Sequence, residues 1–147
     1  MATLHELVTP DSIRLDVRAA DWHDAMRTVG EVLVSAGISD DSYTESMIHN
    51  VEEHGPYIVV SPGFAFAHAR ANDDVHHTGM AWIRLAEPVE FGHESNDPVT
   101  LIASLAAMNS SSHIAATQQL ATLMADPTKR TALATAATPE QFHAALM

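Results

Sequence analysis

Two short apolar runs, split by a Pro-Gly pair and ending on a histidine, constrain this chain more than any other stretch: Gly55-Pro-Tyr-Ile-Val-Val-Ser-Pro-Gly-Phe-Ala-Phe-Ala-His-Ala-Arg70. Gly55-Pro56 stops whatever helix precedes it, Val59 and Val60 follow, Pro62-Gly63 breaks the run, and Phe64 to Ala67 then carries the chain to His68 through small and aromatic residues. The order is strand, turn, short extended segment, polar tip. A histidine delivered to the end of a buried apolar run is placed for chemistry, although by itself such a residue is more often a capped or solvated structural one. The rest of the chain has to decide between the two.

Strand and helix signals alternate along the sequence. Ser12-Ile-Arg-Leu-Asp16 reads as a short strand, and Asp21 caps a helix with Trp22, Met26, Val29, Leu33 and Ala36 on one face, closed by Gly37. A second helix opens at Asp41 or Ser42, where Ser42-Tyr-Thr-Glu45 fits a capping box, and runs through Met47, Ile48 and Val51 to Gly55, which puts His49 and His54 on or near it. Beyond His68, residues 69–78 are polar and read as a loop. Gly79 to Leu85 reads as a strand, and Pro88, Gly92 and Pro98 punctuate the next connection. Thr100 to Ala107 is apolar without clear alternation, the pattern of a strand covered on both faces, which periodicity alone does not separate from a buried helix. Asn109 to Ser112 offers caps for a helix carrying Ile114, Leu120, Leu123 and Met124. Asp126-Pro127 and Thr138-Pro139 each set a cap before a first-turn proline, so two further short helices follow. The expectation is one α/β domain over residues 1–147, with a mixed or mostly parallel β-sheet flanked by helices.

Charge and composition then remove several classes of function. A formal net charge of −12 with seven Lys and Arg lacks the basic footprint of a protein that binds nucleic acid or anionic membrane. With no cysteine there is no disulfide framework, thiolate metal site or cysteine nucleophile. No apolar stretch approaches the roughly 18 residues of a spanning helix, and residues 1–20 carry no signal-peptide hydrophobic region, so a cytoplasmic protein is expected.

The His68 segment resembles the active-site segment of the IIA proteins of the sugar phosphotransferase system (PTS), in the mannitol/fructose-type (type 2) superfamily and most closely its ascorbate-specific branch. A Pro-Gly, four mostly apolar residues and a histidine form the phosphorylated site there. A second stretch is similar to the family's other signature: Phe91-Gly-His-Glu-Ser-Asn-Asp-Pro-Val99, the apolar Leu101 to Met108, then Asn109-Ser-Ser-Ser-His113. The resemblance runs from about Ser12 to the C-terminal end. One position departs from the pattern, since the family usually has proline just before its active histidine and Ala67 stands here.

The resemblance implies a type-2 IIA fold and a phosphocarrier that accepts a phosphoryl group from phosphorylated HPr on Nε2 of His68. It would pass that group to a IIB component, whose membrane partner IIC takes up the sugar, and the resemblance leans toward ascorbate or a related sugar acid. No cofactor and no metal is expected. Neutral imidazole suits the task, being free at neutral pH with an unperturbed pKa near ~6.5 and leaving phosphorus more readily than an alkoxide. His113 has its own physical case: with Ser111 or Ser112 as cap it falls in the first turn of a helix, where free N–H groups favour a phosphate. Arg70, two residues past His68, is a candidate for a bidentate grip on phosphate.

His5, His23, His76, His77, His93 and His143 read as surface or loop residues, His93 with a structural part in its loop. Glu94 and Asp97 read as turn caps, and Trp82 and the methionines as core. Two other functions compete. One is a regulatory relative that acts on partners through its phosphorylation state. The other, weaker, is a metal-dependent hydrolase, for which ten histidines invite the idea but no His-Glu-x-x-His pattern supports it.

Overall fold

A computed structural model describes residues 3–70 and 73–147. Ala71 and Asn72, inside the loop expected over residues 69–78, lie outside the described residues, as do Met1 and Ala2.

The elements follow the capping signals closely. A one-turn helix α1 (Leu4–Leu7) and a 3-10 turn (Pro10–Ser12) lead into β1 (Ile13–Val17). Helix α2 (Trp22–Ser35) starts where the Asp21 carboxylate accepts the Asp24 N–H, and Gly37, at φ +76°, takes the left-handed turn that ends it. Helix α3 spans Asp41–His54. Its expected capping box on Ser42 does not form, because Ser42 lies inside the first turn and its carbonyl accepts the Ser46 hydroxyl at 3.1 Å. The N-cap is Asp40, whose carboxylate faces His76 at 2.8 Å instead of capping the helix.

The two apolar runs around Pro62-Gly63 form β2 (Val59–Ser61) and β3 (Phe64–His68), which pair antiparallel. Strand β4 (Gly79–Val89) runs through Pro88, where the sequence placed a connection. Proline is accommodated there because the pairing with β1 ends at Leu85 and the register with β5 is interrupted between Arg84 and Val89. The apolar run after Pro98 is a strand, β5 (Val99–Ala106), buried at every position but Thr100. Helices α4 (Ser110–Ala125), α5 (Pro127–Thr135) and α6 (Pro139–Ala144) complete the chain, the last two starting on proline as expected.

The sheet has the order β1-β4-β5-β3-β2 and is mixed, with β1·β4 and β3·β5 parallel and β4·β5 and β2·β3 antiparallel. Helices cover both faces, which is why the central strands are apolar throughout. On one face α2 and α3 pack Val29, Leu33, Met47 and Val51 against Ala65, Ala67, Ile83 and Ile102. On the other, α1, α4, α5 and α6 pack Leu4, Leu120, Leu133 and Phe142 against Phe64, Phe66, Trp82 and Leu105. Trp82, Met26, Met47 and Met80 are core as the sequence implied.

Candidate active site

The alternation Phe64-Ala-Phe-Ala-His68 decides which way the histidine faces. Successive strand residues point to opposite faces, so Phe64, Phe66 and His68 share one face, with Phe64 and Phe66 packed in the core beneath α4, while Ala65 and Ala67 lie under α2 and α3. Ala67 is a fully buried strand residue in register with Ser104, and His68, the last residue of β3, pairs with Leu105. The imidazole leans on Phe66, ring centroids 4.9 Å apart.

Its Nδ1 lies 3.2 Å from the Phe66 carbonyl oxygen. A carbonyl can only accept, so Nδ1 carries the proton and Nε2 keeps the free lone pair. Burial pushes the His68 imidazole below its ordinary pKa; the Phe66 carbonyl opposes this, and the neighbouring His113 adds to the lowering. The ring is therefore neutral, with a nucleophilic nitrogen, across the physiological range.

His113 comes to the same place from α4. Its ring centroid is 5.2 Å from that of His68, with the planes inclined at 59°. Of the caps expected over residues 109–112 the helix takes Asn109, not the Ser111 or Ser112 that would put His113 in the first turn: the Asn109 side chain accepts the Ser112 N–H at 2.9 Å, and His113 sits one turn in, its own N–H donating to the Asn109 carbonyl. The backbone of His113 is thus committed to the helix, and what it offers the site is its ring. The first-turn amides of Ser110 and Ser111 have no acceptor within the helix and point out of its positive end.

The two rings share a cleft of about 870 Å³ with Asn50, His54, Tyr57, Arg70, Met108 and Ser110 among its walls. In a chain with 19 acidic residues, no Asp or Glu among the described residues lines this cleft, whereas an arginine and three histidines do. Such a site favours an anion. Arg70 is exposed at the rim. Asn50, Tyr57 and Met108 were missed by sequence reasoning, and His54 was placed only near the active segment. Asn50 and His54 stand four apart on α3, and that helical spacing ahead of Gly55 was the available signal. Tyr57 stands edge-on to both His54 and His68, at 6.4 and 6.3 Å between centroids. Met108 is half exposed at 51%, so it belongs to the cleft rim rather than to the core with Met26, Met47 and Met80, and Met147 is exposed too; Tyr57 at 45% and Ile114 at 56% complete an apolar border. Phe64 and Phe66 are buried, and Phe66 lies against both imidazoles, 4.9 Å from the His68 ring and 6.4 Å from that of His113 between centroids.

The remaining histidines lie elsewhere, His77 exposed in the loop before β4 and His76 against Asp40. His5 and His143 stack at 3.8 Å between centroids, His23 pairs with Glu52, and His49 with Glu53. In the loop after β4, the Asp97 carboxylate accepts the N–H groups of Phe91, Gly92 and His93, and His93 Nδ1 accepts those of Ser95 and Asn96. Both residues have the structural parts read from the sequence. Among the described residues, no group of three or more His, Cys, Asp or Glu converges as a metal site would require.

Residues 6–147 match the family described as "Phosphoenolpyruvate-dependent sugar phosphotransferase system, EIIA 2". The chain is 40% identical over 111 residues to the ascorbate-specific PTS system EIIA component of Shigella flexneri, covering 75% of this chain and 72% of that one. To its counterpart in Escherichia coli K12 it is 36% identical over 102 residues, 69% of this chain and 66% of the other. Two solved structures are similar over nearly their whole length. The mannitol-specific cryptic phosphotransferase enzyme IIA of Escherichia coli has a TM-score of 0.86 at 27% identity, covering 99% and 98% of the two chains. The mannitol enzyme IIA in complex with phosphorylated enzyme IIB from Escherichia coli has a TM-score of 0.82 at 26% identity, covering 95% and 96%.

Proposed function

The chain belongs to the EIIA 2 family of the phosphoenolpyruvate-dependent sugar phosphotransferase system, and from that premise we propose that it is a phosphocarrier whose covalent site is His68. The observation that carries this assignment is the Nδ1–H bond from His68 to the Phe66 carbonyl, 3.2 Å long, which leaves Nε2 as the nucleophile at the mouth of a cleft lined by Arg70 and His113.

Phosphorylated HPr is the proposed donor. Nε2 attacks phosphorus, the new P–N bond forms as the donor's bond to phosphorus breaks, and that bond's electron pair stays with the donor. Throughout, the proton stays on Nδ1 and is donated to the Phe66 carbonyl, which holds the ring with Nε2 facing the cleft. His113, with Arg70 and the open amides of Ser110 and Ser111, surrounds the arriving phosphoryl oxygens with donors. The reverse geometry serves departure. A IIB component attacks the phosphorus from the open side of the cleft, and His68 leaves as neutral imidazole.

The relatives' ascorbate specificity, together with the 40% identity, supports a IIB partner of an ascorbate or sugar-acid transporter with its own membrane IIC component. A site of action in the cytoplasm follows from the proposed donor. None of the helices among the described residues is long and apolar enough to cross a membrane.

The deciding experiment is phosphoryl transfer from labelled phospho-HPr to the wild-type chain and to His68→Ala. Label is expected on the wild type alone, as an acid-labile and base-stable phosphoramidate. Label retained by His68→Ala would sink the assignment.

A further inference from the structure

Strands β3 and β5 end side by side at the cleft. His68 and Leu105 are the last ladder partners, so the peptide of Ala69, the next residue, must find its hydrogen bonds elsewhere. They come from the opposite face of the sheet. Tyr43, in the first turn of α3 and fully buried, brings its hydroxyl to 3.0 Å from the Ala69 nitrogen, 2.7 Å from the Leu105 carbonyl oxygen and 3.2 Å from the Ala69 carbonyl oxygen.

A phenol has one proton to donate. The shorter contact assigns it to Leu105, while the Ala69 N–H donates to the phenol oxygen, and the Ala69 carbonyl is the weaker competitor. The hydroxyl therefore makes an added rung, running from the Ala69 N–H through Tyr43 to the Leu105 carbonyl. Ala67 places no ring constraint on the backbone before His68, so this rung is what ties down the strand's exit. It acts on both histidines: one end holds the residue after His68, and the other holds the strand whose continuation reaches the Asn109 cap and then His113.

We infer that Tyr43 is a positioning residue for phosphoryl transfer, its hydroxyl fixing the end of β3 to the end of β5 and so setting the spacing of the two imidazoles. The inference rests on the reading of His68 as the carrier. Burial pushes the Tyr43 phenol up to about 12, so the hydroxyl keeps its proton at every working pH. The brace does not switch.

Tyr43→Phe keeps the buried ring and removes only the rung. Single-turnover transfer from phospho-HPr, and onward to a IIB component, is expected to slow by about tenfold or more, because a sub-ångström misplacement of reacting groups acts on rate. KM for the donor should stay within about twofold, since the docking surface is untouched. The ring 15N and 1H resonances of His68 and His113 are expected to shift together, and the rate deficit should be the same at every pH. Val29→Ala, a core truncation on α2, serves as a control for lost stability and should transfer at the wild-type rate. In the unaltered protein, the Ala69 amide should exchange with solvent as slowly as a ladder amide, a measurement that does not depend on the variant folding. Wild-type rates and ring resonances in Tyr43→Phe, a matching loss in Val29→Ala, or rapid exchange at Ala69 would each overturn the inference. His68→Ala separates the two levels: label on that variant removes the carrier reading and the brace with it, whereas label confined to His68 with Tyr43→Phe at full rate removes the brace alone.

Discussion

Replacing His113 by alanine tests whether the second imidazole assists the transfer or merely fills the cleft. The ring stands 5.2 Å from that of His68, centroid to centroid, so the oxygens of a phosphoryl group carried on His68 Nε2, as proposed, would come within hydrogen-bond reach of it. A hydrogen bond to a charged group contributes about 1.5–3 kcal/mol. The cleft is open and His113 is only half-buried, so water substitutes in part and the lower end applies. That is about tenfold in rate, each ~1.4 kcal/mol being one factor of ten. Fold stability should change by less than ~1 kcal/mol, since the backbone of His113 is held by helix bonds that alanine retains. The assay is rapid-quench transfer of labelled phosphate from phospho-HPr and then to a IIB component, beside a thermal melt. His113→Ala should still accept label on His68 while both steps slow by about tenfold, and His113→Gln, which keeps a donor, should recover part of the loss. Unchanged kinetics in both directions would refute the reasoning. Complete loss of acceptance equal to that of His68→Ala would refute it too, by making His113 indispensable to acceptance rather than an aid to its rate.

Three further outcomes are expected. His68 is held below its ordinary pKa by burial first and by His113 as well, so the folded chain binds fewer protons than the unfolded one as pH falls through ~6.5. The stability this residue contributes is complete above ~6.5 and declines from there down to the lower folded pKa; phosphoryl acceptance should accordingly persist below ~6.5, and a half-loss at or above that pH would contradict it. Gly30→Ala should destabilise the fold, because the added methyl would meet Thr44 Cγ2 and Oγ1 at 2.2 Å and Cβ at 2.7 Å. Overpacking of about 1–3 kcal/mol exceeds the ~1 kcal/mol gained in helix propensity, and a melting temperature equal to or above that of the wild type would show that α2 and α3 can separate at little cost. Asp97→Ala removes the acceptor of three amides in the loop after β4 and should cost about 2 kcal/mol in thermal denaturation. Transfer should continue at the wild-type rate, since Asn96 of that loop accepts the Gly63 N–H at the far end of β3 from His68; a selective loss of transfer would show a longer reach.

Local chemistry in the sequence accounts for most of the elements. Asp21, Thr138-Pro139 and Asp126-Pro127 start helices because their side-chain oxygens meet first-turn amides whatever the surroundings. Gly37 ends α2 because it takes positive φ without strain. The Phe-Ala-Phe-Ala-His alternation already contains the facing of His68, since strand period is a property of the backbone. Where local signals competed, only the tertiary structure chose. Ser42 lost the cap of α3 to Asp40, and Asn109 took the cap of α4 from Ser111 and Ser112. Pro88 joined β4 because its neighbours make no ladder demand on a missing N–H.

The sequence by itself determined a mixed α/β chain and singled out His68 and His113 as candidates for its site, because capping, strand period and spacing are local or carried in short motifs. It could not determine what surrounds them. That His113 stands 5.2 Å from His68, that Asn50, Tyr57 and Met108 wall the same cleft, and that Tyr43 reaches through the sheet to the peptide after His68 all depend on contacts between residues far apart in the chain. Those contacts exist only once β3 lies beside β5 and helices close over both faces.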